Sequence, residues 1–288
     1  MSIKTLLLHM AHDDDHELRL RVGVELANRF EAYLEVLYIA TPVSMPAAIS
    51  GRGASYAYLA EATAIAREKA AEVEHQVRHA CSGVSYSWSV VEGDHAPLLA
   101  ARAAYCDLTI VSQSRPAHLD DRVLLHVPEE LVLASACPAL VLPRGNGDRH
   151  HVASVGLPPS EVLPVLARHV LVAWKACREA SRAVREALPF LRRADKVTVL
   201  TVDPPGHRQD TARDLMVFLE RQGIATQHHS NINDSDENGA DILTVAEDLA
   251  CDGIVMGAYG HSRLRELVLG GTTRHILNHM TLPILMAH

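Results

Sequence analysis

The sequence contains few aromatic residues, no long apolar run and no surplus of positive charge. Only 4% of its 288 residues are Phe, Trp or Tyr, although 48% are hydrophobic. Ala, Leu and Val therefore dominate the apolar content, which favours helices packed on a parallel sheet. No apolar run approaches the roughly 20 residues that a helix needs to span a bilayer. We expect a soluble globular protein with no membrane partner.

The charge balance and the cysteines each argue against a class of protein. The formal net charge is −8 at pH 7, which disfavours a nucleic-acid partner because phosphate backbones are held chiefly by Lys and Arg. The five cysteines are scattered and odd in number, so they do not indicate a disulfide framework. The apolar run at residues 3–10 breaks into His and Asp and predicts a strand rather than a secretory signal. We expect a cytoplasmic location.

Strand and helix signals alternate along the chain, with one interruption. A strand, a helix and a second strand are predicted within the first 40 residues, which is a unit that requires parallel pairing. Residues 146–167 are rich in glycine, proline and charge and predict a linker. The alternation of strands and helices restarts after it. We therefore predict a first α/β domain over residues 1–145 and a second over residues 168–288.

The two predicted domains repeat one pattern. Asp107 and Asp252 are 145 positions apart, as are Pro138 and Pro283, and we expect this offset throughout. Repetition over such a length indicates a duplicated domain. Two copies in one chain are expected to pack as the two subunits of a dimer would.

One stretch near the end of the chain carries the clearest functional signal. It lies between a strand signal at 254–256 and a helix signal at 274–280. Its glycines and threonines are Gly257, Gly260, Gly270, Gly271, Thr272 and Thr273. Glycines let a ligand approach backbone N–H groups closely, and the start of a helix attracts anions, so phosphate is the expected guest. The alternative is that the glycines only form tight turns and that one threonine is an N-cap.

The spacing of these residues resembles the phosphate-binding loop of the universal stress protein family, Gly-x2-Gly-x9-Gly followed by Ser or Thr. Gly271 takes the place of the Ser or Thr, and Thr272 follows it at once. The segment VAWKACREASRAV at 172–184 is similar to a segment of tandem members. The resemblance extends over the whole chain as two copies. It implies an α/β fold with two Rossmann-like, doubly wound domains in tandem, each with a parallel five-stranded sheet, packed as a pseudo-dimer.

The same resemblance implies an adenine-nucleotide site, for ATP or ADP, in the second domain, and we expect the ligand to be ATP with magnesium. Gly257 and Gly260 would approach the ribose and phosphates, while Ala173 and Val202 would flank the adenine. The residues that would cradle the distal phosphates are Gly270, Gly271, Thr272 and Thr273. Lys175 stands where ATP-binding members usually carry an acidic residue, and this is a departure from the family pattern.

The first copy lacks the loop. The residues at the positions of Gly257, Gly260, Gly270, Gly271 and Thr273 are Ser112, Arg115, Leu125, His126 and Pro128. Bulky side chains would occupy the positions of phosphate oxygens, and a proline removes an N–H donor. We therefore expect that the first half does not hold a nucleotide in the same way.

We find no sequence constellation that indicates a catalytic residue or a metal site. The adjacent acids Asp13, Asp14 and Asp15 are expected to cap the following helix rather than to bind a metal. The leading hypothesis is a nucleotide-responsive stress-survival or regulatory protein with, at most, slow ATP hydrolysis. Two alternatives stay open. One is an interaction or scaffold protein that binds a protein partner or forms a homo-oligomer, and the other is a hydrolase or transferase acting on an adenylated metabolite.

Overall fold

The computed structural model describes residues 2–40, 52–114, 127–144, 165–202, 211–231, 238–258 and 271–288. Strands and helices alternate through both halves of these residues. The first half contains β1 (Thr5–Met10), α1 (His16–Phe30), β2 (Tyr33–Ala40), α2 (Arg52–Ala80), β3 (Tyr86–Glu92), α3 (His95–Ala103), β4 (Leu108–Ser112), α4 (Val127–Ala134) and β5 (Ala139–Leu142). The second half contains β6 (His169–Trp174), α5 (Arg178–Leu191), β7 (Lys196–Val202), α6 (Thr211–Arg221), β8 (Thr226–Asn231), α7 (Asn238–Asp248), β9 (Gly253–Gly257), α8 (Gly271–His279) and β10 (Ile284–Ala287).

All the strands named above lie in one sheet with the order β3-β2-β1-β4-β5-β10-β9-β6-β7-β8. Pairing is parallel within each half, and the two halves meet where β5 and β10 pair antiparallel, with Leu140 opposite Leu285. Each half therefore contributes a parallel five-stranded sheet. The predicted fold class, two doubly wound α/β domains packed as a pseudo-dimer, is confirmed.

The helices cover both faces of the sheet. One apolar core lies between the sheet and α1, α2, α5 and α6, and the other lies between the sheet and α3, α4, α7 and α8. Along β1, Leu6 and Leu8 enter the first core while Leu7 enters the second. Both faces of the strand are buried, which is why it reads as a continuous apolar run rather than an alternating one. Within the described part of the chain, no helix is long and apolar enough to cross a membrane.

The two halves superimpose strand on strand, but not at one constant offset. Leu8 pairs with Ile110 and Val172 pairs with Val255, so Leu8 corresponds to Val172, a difference of 164. The offset of 145 holds only from β4 and β9 onward, and its expected extension to the whole chain is wrong. The extra residues of the first half include those of α2, which has 29 residues where α6 has 11.

Aromatic and cationic side chains join the halves on the α1 and α5 side of the sheet. The rings of Phe30 and Phe190 meet edge to face, with their centroids 4.9 Å apart. The guanidinium of Arg193 lies 5.1 Å from the centre of the Phe30 ring. Arg29 donates to the Val165 carbonyl over 2.6 Å. Helices α1 and α5 are thus packed across the junction as well as onto the sheet.

Candidate functional site

The carboxyl ends of β9, β6 and β7 lie side by side in the second half. Ala173 is opposite Met256 on one side and opposite Leu200 on the other. Gly257 and Val202 are the last residues of β9 and β7. The residues predicted to flank the adenine and the first glycine of the loop therefore lie at one edge of the sheet, where open parallel sheets bind their ligands.

Gly257 is in close contact with the first turn of α5. A Cβ atom on this residue would lie 2.4 Å from the backbone nitrogen of Ala180 and 2.6 Å from the carbonyl carbon of Glu179. Any larger residue would push α5 away from β9. Packing thus accounts for a glycine at this position, and the approach of Gly257 to a ligand stays a prediction.

The start of α8 has a different environment. Gly271 is the first residue of the helix and is exposed, and a Cβ atom on it would meet nothing within 4 Å. The helix begins three residues before the expected position, so Thr272 and Thr273 belong to its first turn rather than preceding it as an N-cap. Thr273 is 4% exposed. Gly260 and Gly270 lie outside the described residues.

The first turns of α7 and α8 pack closely together. A Cβ atom on Gly239 would lie 3.0 Å from the Cβ of His275 and 3.1 Å from the carbonyl oxygen of Thr272. The N-terminal ends of both helices therefore lie next to each other. Their dipoles add to a positive potential at this end of the pair.

An acidic residue that the sequence interpretation did not select lies beside Gly257. Glu179 is in the first turn of α5, and its side chain is 12% exposed. Burial acts to raise the pKa of Glu179, but hydrogen bonds from its own backbone N–H and from Cys177, with the charges of Arg178 and His288, lower it overall. The edge thus carries an ionised carboxylate although Lys175, which is exposed, occupies the expected acidic position. The place of Glu179 in the segment at 172–184, shortly after the first strand of the second domain, was the available signal.

Trp174 is a second residue that the sequence interpretation did not assign to the site. It is the last residue of β6 and is partly buried against the core under α5 and α6. Its indole N–H donates to the carbonyl of Thr211 over 3.1 Å, at the start of α6. This bond holds an aromatic ring at the same edge of the sheet as Ala173.

Hydrogen bonds fix the chain where it leaves β9. The N–H of Ala258 donates to the carbonyl of Ala287 over 2.9 Å. The ring Nδ1 of His288 lies 3.0 Å from the carbonyl oxygen of Ala258. Arg182, on α5, donates to the His288 carbonyl over 2.8 Å. Ala258, the residue after Gly257, is therefore held by β10 and by His288, which α5 contacts through Arg182.

The corresponding edge of the first half contains a buried arginine. Arg19 is 1% exposed and donates to the carbonyl of His9, to Oγ of Ser112 and to Oδ2 of Asp13, over 2.9, 2.9 and 2.6 Å. Ser112 stands at the position of Gly257. The buried positions of α1 match those of α5 when Arg19 is placed on Ala180. Where the second half has glycine against helix backbone, the first half has a serine bonded to an arginine.

The sequence predicts that Asp13 caps α1, but its side chain makes other contacts. It forms an ion pair with Arg19, and its Oδ1 accepts a hydrogen bond from the N–H of Asp15 over 2.9 Å. Asp15 is at the N-cap position, but its side chain makes no capping bond. In the part of the chain that the structure describes, no three His, Cys, Asp or Glu side chains come together as metal ligands.

A pair of buried histidines lies next to this arginine. His9 corresponds to Ala173, and its Nε2 lies 2.8 Å from Nδ1 of His95, the first residue of α3. Their rings meet edge to face with centroids 5.0 Å apart, and the two residues are 4% and 1% exposed. Burial, with the nearby charge of Arg19, holds the pKa of His9 well below its usual range. Burial also lowers the pKa of His95 to about 4.

Of the first-half residues that correspond to the loop residues of the second half, the structure describes Ser112 and Pro128. Ser112 ends β4, and Pro128 is buried near the start of α4. Arg115, Leu125 and His126 lie outside the described residues. Protein side chains fill the first-half edge at Ser112, and the prediction that this half holds no nucleotide in the same way remains a prediction.

Comparison with known proteins gives consistent results at three levels. The model of the universal stress protein family matches residues 3–143 and 211–288. The universal stress protein Slr1230 of Synechocystis is 37% identical over 67 residues, which cover 23% of this chain and 22% of that protein. The chain thus aligns with about a fifth of the length of this curated relative.

Solved structures share the fold over the full length. A universal stress protein from Archaeoglobus fulgidus DSM 4304 aligns with a TM-score of 0.71 at 16% identity, covering 98% of this chain and 97% of its own. A Pseudomonas aeruginosa PAO1 protein of unknown function aligns with a TM-score of 0.58 at 15% identity, covering 99% and 92%. Identities this low show the fold alone. Because the family model matches both halves and most of the sequence, the chain belongs to the universal stress protein family.

Proposed function

We propose that the second half binds an adenine nucleotide, ATP with magnesium, at the carboxyl edge of β6, β7 and β9. We propose that this second domain extends over residues 168–288. The observation that carries the proposal is the start of α8, where Gly271 is exposed and a Cβ atom on it would meet none of the described residues within 4 Å. A helix start is suited to phosphate because its N–H groups and its dipole both face the anion.

The polar groups around this edge are suited to the other parts of a nucleotide. The ionised carboxylate of Glu179 can accept hydrogen bonds from ribose hydroxyls or from an adenine amino group. Lys175 is exposed at the end of β6 and can offset phosphate charge. Ala173 has a small side chain where the first half has His9, which leaves room for a base.

The site supports binding better than catalysis. An efficient hydrolase needs a base that is poised to accept a proton near neutral pH. Glu179 is the described acid at this edge, and its lowered pKa makes it a weak base. We therefore propose a nucleotide-responsive protein with a stress-survival or regulatory role, in which any ATP hydrolysis is slow.

Calorimetric titration with MgATP tests the proposal through one position. Gly271→Asp adds a carboxylate that the helix dipole tolerates but that repels phosphate, so we expect at least tenfold weaker binding with unchanged thermal stability. Gly271→Ala has room for its methyl group and is expected to bind nearly as the wild type does. Gly83→Asp adds the same charge at an open position of the first half and serves as the matched control.

Two results would contradict nucleotide binding at this edge. One is a wild-type protein that takes up no ATP at millimolar concentration, and the other is equal affinity in the wild type and Gly271→Asp. An interaction or scaffold role is the second candidate, and it is favoured by Gly257, whose glycine is explained by packing against α5. Mass spectrometry of ligand released from purified protein separates the two functions, because a scaffold would release no nucleotide.

A further inference from the structure

We propose that the buried, neutral pair of His9 and His95 makes the first half of the protein selectively sensitive to acid. This property is independent of any nucleotide at the second half. The pair lies at the carboxyl edge of the first half, which corresponds to the proposed nucleotide edge of the second.

The geometry of the pair requires that at least one of the two imidazoles is neutral. A hydrogen bond between Nε2 of His9 and Nδ1 of His95, 2.8 Å apart, needs one nitrogen to donate and the other to accept. Protonation of both rings would direct two N–H groups at each other and place two positive charges side by side. Both side chains are almost fully buried, so water cannot compensate for either effect.

The groups around the pair disfavour a positive charge on His9 more than on His95. Arg19, from α1, is the fixed cation beside both rings. Asp13 and Asp94 act on His95 in the opposite direction but do not overcome burial. The strand β2 places Leu37 beside His9, and β4 contributes Ser112 through its bond to Arg19.

Helix α4, which packs against α3, also carries acidic residues at this end. Its buried carboxylate, Glu129, accepts a hydrogen bond from Ser114 over 2.7 Å, and Glu130 lies in the same first turn. The charges that act on the two imidazoles are therefore Arg19 on both rings and Asp13 and Asp94 on His95.

The direction of the pH effect follows from the lowered pKa values. Both imidazoles are neutral in the folded protein, whereas in the unfolded chain they titrate near pH 6.5. Their contribution to stability is complete above that pH and is lost as the pH falls towards about 4, the pKa of folded His95. Within this window each histidine raises the unfolding equilibrium constant by up to about tenfold per pH unit.

Among its described residues the second half has no buried pair of hydrogen-bonded histidines. The rings of His275 and His279 stack with centroids 4.3 Å apart, but His279 is exposed. Ala173 replaces His9, and α7 begins with Asn238 and Gly239 where α3 begins with His95. Its buried His169 instead bonds to the Leu249 carbonyl and to Thr198 Oγ1, over 3.0 and 2.8 Å. Burial lowers the pKa of His169, although the Leu249 carbonyl and Asp252 act against it. His169 is therefore a single-histidine control for burial.

The two tryptophans allow each half to be followed separately. Trp88 lies in β3 of the first half, with its ring 5.6 Å from that of Tyr38, and Trp174 lies in β6 of the second half. Trp174→Phe leaves the first-half reporter, and Trp88→Phe leaves the second. Urea unfolding of both single-tryptophan proteins between pH 7.5 and 5.0 then compares the acid sensitivity of the halves.

We expect the Trp88 signal to lose more stability on acidification than the Trp174 signal, or both to lose it together if the halves unfold as one unit. In either case, His95→Gln should reduce the acid-induced rise of the unfolding constant by about thirtyfold at pH 5, while His169→Gln should reduce it less. Equal pH dependence with and without His95→Gln would overturn the proposal.

A measurement on the unmutated protein tests the proposal even if the His95→Gln variant fails to fold. In histidine-labelled wild-type protein, NMR should show that the imidazoles of His9 and His95 stay neutral through pH 5.5. Titration of both rings near pH 6.5, the value for a free imidazole, in the folded protein would overturn the proposal.

Discussion

The two halves of the chain have the same strand order but different contacts at the carboxyl edge of the sheet. In the first half, Ser112 bonds to a buried arginine, and a histidine pair fills the adjoining space. In the second half, Gly257 lies directly against the backbone of α5. The fold therefore does not require glycine at the end of the fourth strand. What glycine permits is a closer helix, and that closer helix brings Glu179 to the edge.

Removal of the buried arginine is the strongest test of the contacts at the first-half edge. Arg19→Ala leaves Asp13 as a nearly buried charge without its partner and leaves the Ser112 hydroxyl without its donor. We expect a loss of about 3–5 kcal/mol in the free energy of unfolding, measured with urea. Arg21→Ala, on the exposed side of the same helix, should change stability by less than about 0.5 kcal/mol. Equal effects of the two changes would mean that the ion pair does not close this edge.

A methyl group at Gly257 tests the close packing of β9 against α5 in the second half. Gly257→Ala forces α5 away from β9, because the new atom would lie 2.4 Å from backbone. We expect a loss of about 1–3 kcal/mol. Ser112→Ala at the equivalent position removes one hydrogen bond to Arg19 and should cost about 1 kcal/mol. If thermal unfolding showed Gly257→Ala to be neutral, a packing role for this glycine would be excluded.

The smallest effect is expected where one half reaches into the other. Gln113 is 6% exposed, and its Nε2 donates to the Leu277 carbonyl in the last turn of α8 over 2.7 Å. That carbonyl has no partner within the helix. Gln113→Ala should therefore cost about 1 kcal/mol and increase hydrogen exchange at the end of α8. Unchanged exchange in α8 would show that the helix end is held by other contacts. The equivalent residue, Ala258, offers no side chain that could make the reverse contact.

Local patterns predicted the strands and helices well because the apolar periodicity of each element is visible within a few residues. The parallel units and the duplication followed from apolar periodicity and from pairs such as Asp107 and Asp252. One boundary was less exact, because α8 begins at Gly271 and the helix signal begins at residue 274. Helix ends depend on tertiary contacts as much as on the local sequence.

The contents of the site were harder to predict because they depend on contacts between distant residues. Arginine is rarely buried, and only the fold brings Arg19 to Ser112, which is 93 positions away. The packing reason for Gly257 depends on Ala180, and the carboxylate at the edge comes from Glu179 rather than from the position of Lys175. The glycine and threonine spacing was visible in the sequence, but its neighbours were not.

The antiparallel pairing of β5 with β10 fixes which partner each half can have. Two separate subunits joined through such strands would part on dilution, and either could meet another copy. Here the partner is supplied by the same chain at a high effective concentration. Each half therefore always faces an unlike neighbour, at any expression level. A sequence change that suits only one side of the junction can persist, because it never has to match itself.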